Sequence, residues 1–214
     1  ILTNTMNSEP KDMNYQIIKK YRFTLKRLAQ LRLGSKYLKN KGNGAGGANT
    51  NINGLQFEKN TSLKNYTIEI RQDNYFQVVK FPGCSKEFIS LSKSNLRKYM
   101  TFHDEKSDAL EAHGTKLPDQ CYVDESKKNL FVIEDKFQKV HGSVVEKIQG
   151  TQFKINNYKK QYPNYNIRYI FCFSDWFKTN IPAEKEHLDE INVPYFWGED
   201  EDFHQKLIDY ICNL

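Results

Sequence analysis

Two short acidic motifs, one of them with a lysine, are the residues of this chain best suited to phosphodiester chemistry. Pro118-Asp119 is followed, after 14 intervening residues, by Glu134-Asp135-Lys136. The second motif lies in the apolar run at residues 131–137, FVIEDKF, which predicts a buried strand. Mg²⁺ prefers oxygen ligands and is typically held by one or two carboxylates plus the phosphate of a substrate. The two motifs therefore predict a site for a divalent cation beside a phosphodiester.

The alternation of side chains along a strand separates the members of the second motif. Glu134 and Lys136 are two residues apart and are expected on one face, whereas Asp135 is expected on the opposite face. Placing two ionisable groups on a central strand costs several kcal/mol unless partners or a metal compensate. A bound metal would explain why these groups lie in an apolar run.

Pairing between two strands is expected to bring the two motifs together. A turn at residues 126–128 predicts that a short strand at 121–123 pairs with a longer strand at 129–138. Asp119, at the mouth of the short strand, then lies near the middle of its neighbour. Asp124, at the far end of the short strand, is the alternative ligand if the register differs.

These positions predict a separate role for each group. Asp119 and Glu134 supply carboxylates to Mg²⁺, and the backbone carbonyl of Asp135 adds a further oxygen. Lys136 orients the attacking water and helps to deprotonate it, or offsets the charge that builds on the phosphate. The alternative interpretation is structural: Asp119 is an ordinary turn residue after proline, and Glu134 and Lys136 form a weak ion pair on an exposed strand face.

The composition is that of a globular protein with a moderate positive charge. The 214 residues include 32 Lys+Arg and 26 Asp+Glu, for a formal net charge of +6, which is compatible with a polyanionic partner without requiring one. The four cysteines are far apart and form no C-x-x-C pair. No stretch approaches the roughly 20 apolar residues of a membrane span, and no secretory signal is recognisable. We therefore expect no membrane association and an intracellular, cytoplasmic location in a bacterial or viral host cell.

Apolar periodicity predicts an α/β protein with a central mixed sheet flanked by helices. Pro194 predicts that the last strand lies at an edge of the sheet. The predicted strands are residues 66–71, 75–81, 121–123, 129–138, 168–173 and 193–197. The predicted helices are residues 15–33, 54–62, 91–102, 145–162, 183–191 and 201–212.

The chain is expected to form a single domain over residues 1–214, with residues 1–14 as a mobile N-terminal arm. Residues 36–53 are rich in Gly and Asn and predict a loop, with Asn53 as the N-cap of the helix that follows. Glycine lets a backbone approach phosphates closely, and asparagine can pair with adenine edges, so this loop is a candidate DNA contact. A plain flexible linker is the alternative.

Pro118-Asp119 and Glu134-Asp135-Lys136 match the motif of the PD-(D/E)xK nuclease superfamily, and over about residues 46–173 the chain resembles its type II restriction endonucleases. Residues 137–149, FQKVHGSVVEKIQ, look like the stretch that follows the E-x-K motif in several such enzymes, and residues 46–51 and 54–58 look like their N-terminal region. The resemblance implies a restriction-endonuclease-like mixed β-sheet flanked by α-helices and a homodimer. It also implies Mg²⁺-dependent cleavage of both strands of double-stranded DNA at a short symmetric site, leaving 5′-phosphates, within a restriction-modification system.

The resemblance also implies roles for residues outside the two motifs. Glu58 is a candidate accessory catalytic carboxylate, and Glu146, on the helix after the E-x-K strand, is a candidate metal ligand. Gln138 continues the face of Glu134 and Lys136, where it either touches the water or a phosphate or is a solvated strand end. Lysines would hold phosphates, whereas Asn, Gln and Ser could read base edges. The predicted DNA contacts are Asn49, Asn51, Asn53, Gln138, Lys139, Ser143, Lys147, Lys159 and Lys160.

Two other functions stay open at this point. A DNA repair or junction-resolving nuclease would use the same carboxylates on a substrate of different geometry. A non-catalytic nucleic-acid-binding module would carry the acidic cluster without using it.

Overall fold

The computed structural model describes residues 48–71, 76–91, 93–110 and 117–214. All of them belong to one compact unit, Lys39–Leu214. The predicted arm at residues 1–14 and the predicted helix at residues 15–33 lie outside the described residues. The single-domain organisation of the whole chain stays a prediction.

A seven-stranded mixed sheet forms the centre of the described part of the chain. Its strands are β1 (Thr67–Arg71), β2 (Phe76–Lys80), β3 (Glu87–Leu91), β4 (Gln120–Asp124), β5 (Asn129–Lys136), β6 (Asn166–Phe173) and β7 (Tyr195–Trp197). They lie side by side in sequence order. The pairs from β1 to β5 are antiparallel, whereas β5, β6 and β7 are parallel to one another.

Helices flank this sheet and connect its parallel strands. They are α1 (Ala48–Thr61), α2 (Ser94–Phe102), α3 (Glu146–Gln149), α4 (Thr151–Gln161), α5 (Phe177–Asn180), α6 (Pro182–Glu190) and α7 (Phe203–Asn213). Because parallel neighbours need a crossover, α3 and α4 connect β5 to β6, and α5 and α6 connect β6 to β7. Within the described ranges, no helix combines the length and the apolar character needed to cross a membrane.

Strand β5 lies at the centre of the buried core. All eight of its residues are buried, including the three charged residues at its C-terminal end. Leu130 and Val132 join an apolar cluster with Ile155 of α4. Phe131 points to the other face, where its ring lies 6.2 Å from that of Phe88. Because β5 is packed on both faces, its side chains have little access to solvent. Any charged side chain on β5 therefore needs a partner inside the protein.

The prediction of a mixed sheet flanked by helices is confirmed, and β7 lies at the predicted edge. Strand β3 was not predicted, and its last residue, Leu91, was assigned to the helix at 91–102. That helix begins only at Ser94. The predicted helix at 145–162 is divided at Gly150 into α3 and α4.

The prediction of a loop through residue 53 is wrong for residues 48–53, which are helical, and Asn53 is therefore not the N-cap. Asn53 is 3 % exposed, and Phe57 and Thr61 of the same helix are fully buried. Helix α1 packs against β5, and its Phe57 ring lies 5.7 Å from that of Phe137. Tertiary packing of this face stabilises a helix whose first residues are weak helix formers.

Candidate active site

The pairing of β4 with β5 positions the first motif. Gln120 is paired with Ile133, so Asp119 lies just beyond the paired residues and level with Glu134. The backbone N–H of Asp135 donates a hydrogen bond of 3.0 Å to Asp119 Oδ2. The backbone of the preceding residue, Pro118, is also fixed, because its carbonyl accepts a hydrogen bond of 2.9 Å from the N–H of Lys93. Asp119 thus occupies the place that the strand pairing predicted.

Glu134 and Lys136 share one face of β5, as strand alternation predicted. Lys136 Nζ lies 2.6 Å from Glu134 Oε1 and 4.0 Å from Asp119 Oδ2. The same ammonium donates to the backbone carbonyl of Asp135 at 3.2 Å. The Glu134 and Lys136 side chains are only 5 % and 9 % exposed. The structure therefore brings both predicted carboxylates and the predicted carbonyl around one buried ammonium, and the exposed-face interpretation is wrong.

The carboxylate of Asp135 points to the opposite face, where it joins α1 to the sheet. Thr61 Oγ1 donates to its Oδ1 at 2.7 Å, and Gln120 Nε2 donates to its Oδ2 at 2.9 Å. The Tyr122 hydroxyl in turn donates to Gln120 Oε1 at 3.2 Å. Only the carbonyl of Asp135, and not its carboxylate, is available to the site.

The two carboxylates of the site differ in their electrostatics. Burial raises the pKa of Asp119 to about 6, and the negative charge of Glu134 adds to this rise. Burial acts on Glu134 in the same direction, but Lys136 and Lys154 outweigh it and hold its pKa below the usual value. A divalent cation between the carboxylates would stabilise the charged form of Asp119.

Helix α4 contributes a lysine to this site that the sequence analysis did not single out. Lys154 Nζ lies 3.4 Å from Glu134 Oε1. Burial, and the charge of Glu134 among other groups, raises the pKa values of Tyr158 and Tyr169, which border the same carboxylate. Lys154 and Tyr158 are four residues apart on the helix that follows the E-x-K strand, which is the sequence signal for a shared face.

Glu58 lies at the edge of the site. Its charge contributes to the raised pKa of Asp119. Its Oε2 lies 3.9 Å from the Nζ of Lys93, a residue with a φ of 50°. A positive φ is unfavourable for residues other than glycine, so local packing must hold the backbone of Lys93 in this conformation. Glu146, by contrast, is an exposed residue at the start of α3, and among the described contacts none joins it to Asp119 or Glu134.

The predicted DNA contacts fall into three groups. Lys139, Ser143, Lys147, Lys159 and Lys160 are exposed. Asn49 and Asn51 belong to α1, but their side chains lie outside the described residues, and Asn53 is buried. Gln138 is neither a solvated strand end nor exposed to a phosphate, because it is 7 % exposed and its Nε2 donates to Val140 O at 2.6 Å. It holds the chain just after β5.

Asp124 is at the opposite end of β4 and stabilises a turn. Its Oδ1 accepts hydrogen bonds from the backbone N–H groups of Ser126 and Lys127, and its Oδ2 lies 3.3 Å from Lys86 Nζ. In the register it is paired with Asn129, at the end of β5 farthest from Glu134. The alternative assignment of Asp124 as the metal ligand is therefore wrong.

We predict that Asp124→Asn leaves the chemistry of the site unchanged and lowers stability only modestly. The amide oxygen can still accept the turn hydrogen bonds, whereas the ion pair with Lys86 is lost. The free energy of unfolding should fall by about 1 kcal/mol, measured by denaturant titration. A loss of Mg²⁺ binding in this variant would contradict the geometric assignment of Asp119.

The pH dependence of stability should report on Asp135, whose pKa burial raises to about 7. A carboxyl with a higher pKa in the folded state than its unfolded value of about 3.9 binds more protons when folded, so stability rises as pH falls. The free energy of unfolding of the metal-free protein should therefore increase by on the order of 1–3 kcal/mol between about pH 7.5 and pH 5. Asp135→Asn, which has no titrating group at this position, should give a flatter curve in denaturant titrations over that range. Identical slopes for the two proteins would contradict the prediction.

The oxygen donors of this site would suit a hard cation such as Mg²⁺ better than a metal that prefers sulfur or imidazole ligands. Within the described ranges, no group of three or more His, Cys, Asp or Glu side chains is arranged to hold a metal ion. The candidate ligands are all hard oxygen donors, namely the carboxylates of Asp119 and Glu134 and the backbone carbonyl of Asp135. Mg²⁺ fits such a set because it keeps several waters and uses few protein ligands.

Comparison with known protein families, with curated proteins and with solved structures finds no match to this chain. The chemistry of the site therefore has to be judged from its own geometry.

Proposed function

We propose that this protein is a Mg²⁺-dependent endonuclease that hydrolyses double-stranded DNA at specific sites, in the manner of type II restriction enzymes. The observation that carries the proposal is the convergence of Asp119 and Glu134 within 4.0 Å of the ammonium of Lys136. Glu134 and Lys136 lie on the central strand β5, and the hydrogen bond from the Asp135 N–H holds Asp119 just before β4, so the three groups are fixed as a catalytic constellation requires.

A purely structural ion cluster explains this arrangement less well. A buried ion pair is often no more stabilising than apolar residues of similar volume, so three charges at the end of a buried strand are weak candidates for a stabilising device. The cluster also reaches solvent, because the side chains of Asp119 and Lys154 are each 23 % exposed. A substrate can therefore reach the cluster at these two side chains, which lie beside the largely buried Glu134 and Lys136.

The residues of the site would have separate roles in hydrolysis. Mg²⁺ supplies Lewis acidity and makes a bound water a stronger acid. Asp119, Glu134 and the Asp135 carbonyl would hold it. Lys136 would orient the attacking water and offset negative charge on the phosphate, since its Nζ lies beside all three donors. The water oxygen forms a bond to phosphorus and gives up a proton to the solvent, the bond from phosphorus to O3′ breaks, and O3′ takes up a proton from the solvent. The products are a 3′-hydroxyl and a 5′-phosphate.

The substrate class follows from charge and from the need for two cuts. The net charge of +6 and the exposed lysines beyond β5 favour a polyanion. One such site hydrolyses one strand, so cleavage of both strands at a symmetric sequence favours a homodimer with a two-fold axis. Sedimentation of the purified protein with and without duplex would measure the oligomeric state.

The decisive experiment is digestion of DNA of known sequence in Mg²⁺ and in EDTA, followed by sequencing of the fragment ends. Discrete fragments with constant ends and 5′-phosphates would support the proposal. Cleavage confined to branched or damaged DNA would support the repair or junction-resolving alternative. Binding without cleavage of duplex, branched or phage DNA in either Mg²⁺ or Mn²⁺ would overturn the enzyme assignment and leave a binding module.

A further inference from the structure

The carboxylate of Glu134 is contacted by more positively charged groups than the two sequence motifs supply. Its Oε1 lies 2.6 Å from Lys136 Nζ and 3.4 Å from Lys154 Nζ. Both ammonium groups therefore contact the same carboxylate oxygen. That oxygen belongs to one of the two carboxylates assigned above to the metal.

The two lysines differ in how far their side chains are exposed. Lys136 projects from β5, is 9 % exposed and also donates to the Asp135 carbonyl. Lys154 projects from α4 and is 23 % exposed. A divalent cation on Glu134 would repel both ammonium groups at this short range. The more exposed lysine, on its long flexible side chain, is the one that can move at the lower cost.

We propose that Lys154 pairs with Glu134 in the metal-free protein and transfers to a non-bridging phosphate oxygen of the DNA when metal and substrate bind. This inference rests on the proposed nuclease function. Lys154 would then be a catalytic residue that contacts the substrate, and it would also keep the empty site neutral until the metal arrives.

A phosphate is the partner that fits this position best. The Lys154 side chain is 23 % exposed, so it can be reached from the solvent, through which a phosphodiester must approach the metal ligands. The same helix carries two further exposed lysines, Lys159 and Lys160. Tyr158 and Tyr169 interact with Glu134 and are themselves buried, and such an apolar surrounding strengthens the attraction between a nearby ammonium and an anion.

Lys154→Met tests the inference, because methionine keeps most of the length and the apolar contacts of the side chain but lacks the charge. Removal of a competing cation should tighten Mg²⁺ binding to the DNA-free protein by about 3- to 30-fold in titration calorimetry. Single-turnover cleavage at saturating Mg²⁺ should nevertheless slow by about 10- to 100-fold. Lys154→Arg should recover part of the cleavage rate. Tighter metal binding together with slower cleavage is a combination that a merely structural role would not produce.

A third readout measures the phosphate contact itself. In Ca²⁺, which accepts the same oxygen donors, the slope of log K against log salt for duplex binding should become shallower by about 0.9 in Lys154→Met. The control is Lys206→Met, since Lys206 is an exposed lysine of α7 that pairs with Asp202, the residue just before that helix. We expect this control to match the wild type in metal affinity, cleavage rate and salt dependence.

These measurements distinguish a failure of the role proposed for Lys154 from a failure of the proposed nuclease function. If the wild type cleaves DNA and Lys154→Met cleaves as fast with unchanged Mg²⁺ affinity, only the role of Lys154 is overturned. A lower melting temperature with weaker metal binding would show that Lys154 is structural, and it too would overturn the inference. If the wild type cleaves nothing in Mg²⁺ or Mn²⁺, the nuclease function and the role of Lys154 both fail.

Discussion

Asp119→Asn is expected to slow Mg²⁺-dependent cleavage by about 100- to 10,000-fold, because one of the two carboxylates that would hold the cation loses its charge. The substitution is conservative in shape. The amide oxygen can still accept the hydrogen bond from the backbone N–H of Asp135, which the native carboxylate accepts at 3.0 Å. The folded structure should therefore persist while the metal site fails. Single-turnover cleavage at saturating protein measures the chemical step directly.

Asp124→Asn is the matched control, since it makes the same chemical change at the other end of β4. It should cleave at close to the wild-type rate. Both variants should bind duplex DNA in Ca²⁺ within about threefold of the wild type, because phosphate contacts from lysines dominate affinity. A cleavage rate for Asp119→Asn within tenfold of wild type, or equal losses in the two variants, would refute the assignment of Asp119.

Gly198→Ala is expected to have the largest effect on stability. A Cβ at this position would lie 2.6 Å from Phe57 Cζ and 2.7 Å from Thr61 Cγ2. Both side chains are fully buried, so neither can move aside without disturbing α1. Displacement of Thr61 would also weaken its 2.7 Å hydrogen bond to Asp135. We expect the free energy of unfolding to fall by about 2–4 kcal/mol, measured by denaturant titration.

Gly54→Ala serves as the control in the same region. Gly54 lies inside α1, and a Cβ there would meet no atom within 4 Å. Alanine in a helix interior should stabilise the protein by about 0.5–1 kcal/mol relative to glycine. If Gly198→Ala is as stable as the wild type, the close packing of Phe57 and Thr61 against Gly198 is refuted.

Local rules were sufficient for part of the site. Side-chain alternation along β5 puts Glu134 and Lys136 on one face and Asp135 on the other, independently of the rest of the fold. The structure has the side chains on these opposite faces. The turn between β4 and β5 then determines the register, which puts Asp119 level with Glu134. These inferences succeeded because strand period and hairpin geometry depend on neighbouring residues.

Local rules failed where tertiary packing decides. Helix α1 begins at Ala48, inside a segment whose composition favours a loop, because burial of Phe57 and Thr61 stabilises it. Gln138 continues the pattern of β5, yet the strand ends at Lys136 and Gln138 turns inward to bond Val140. The length of a strand depends on its partners in the sheet, and one partner of β5, the parallel strand β6, is distant in sequence.

The sequence by itself determined the two acidic motifs, the sheet flanked by helices, and the face on which Glu134 and Lys136 lie. Only the tertiary structure decided that Lys154 contacts Glu134, that Glu58 lies near enough to raise the pKa of Asp119, and that Glu146 stays outside the described contacts of the site. The physical reason is the range of each interaction. Periodicity acts between residues a few positions apart, whereas a contact between a crossover helix and a strand depends on how the helix packs across the sheet.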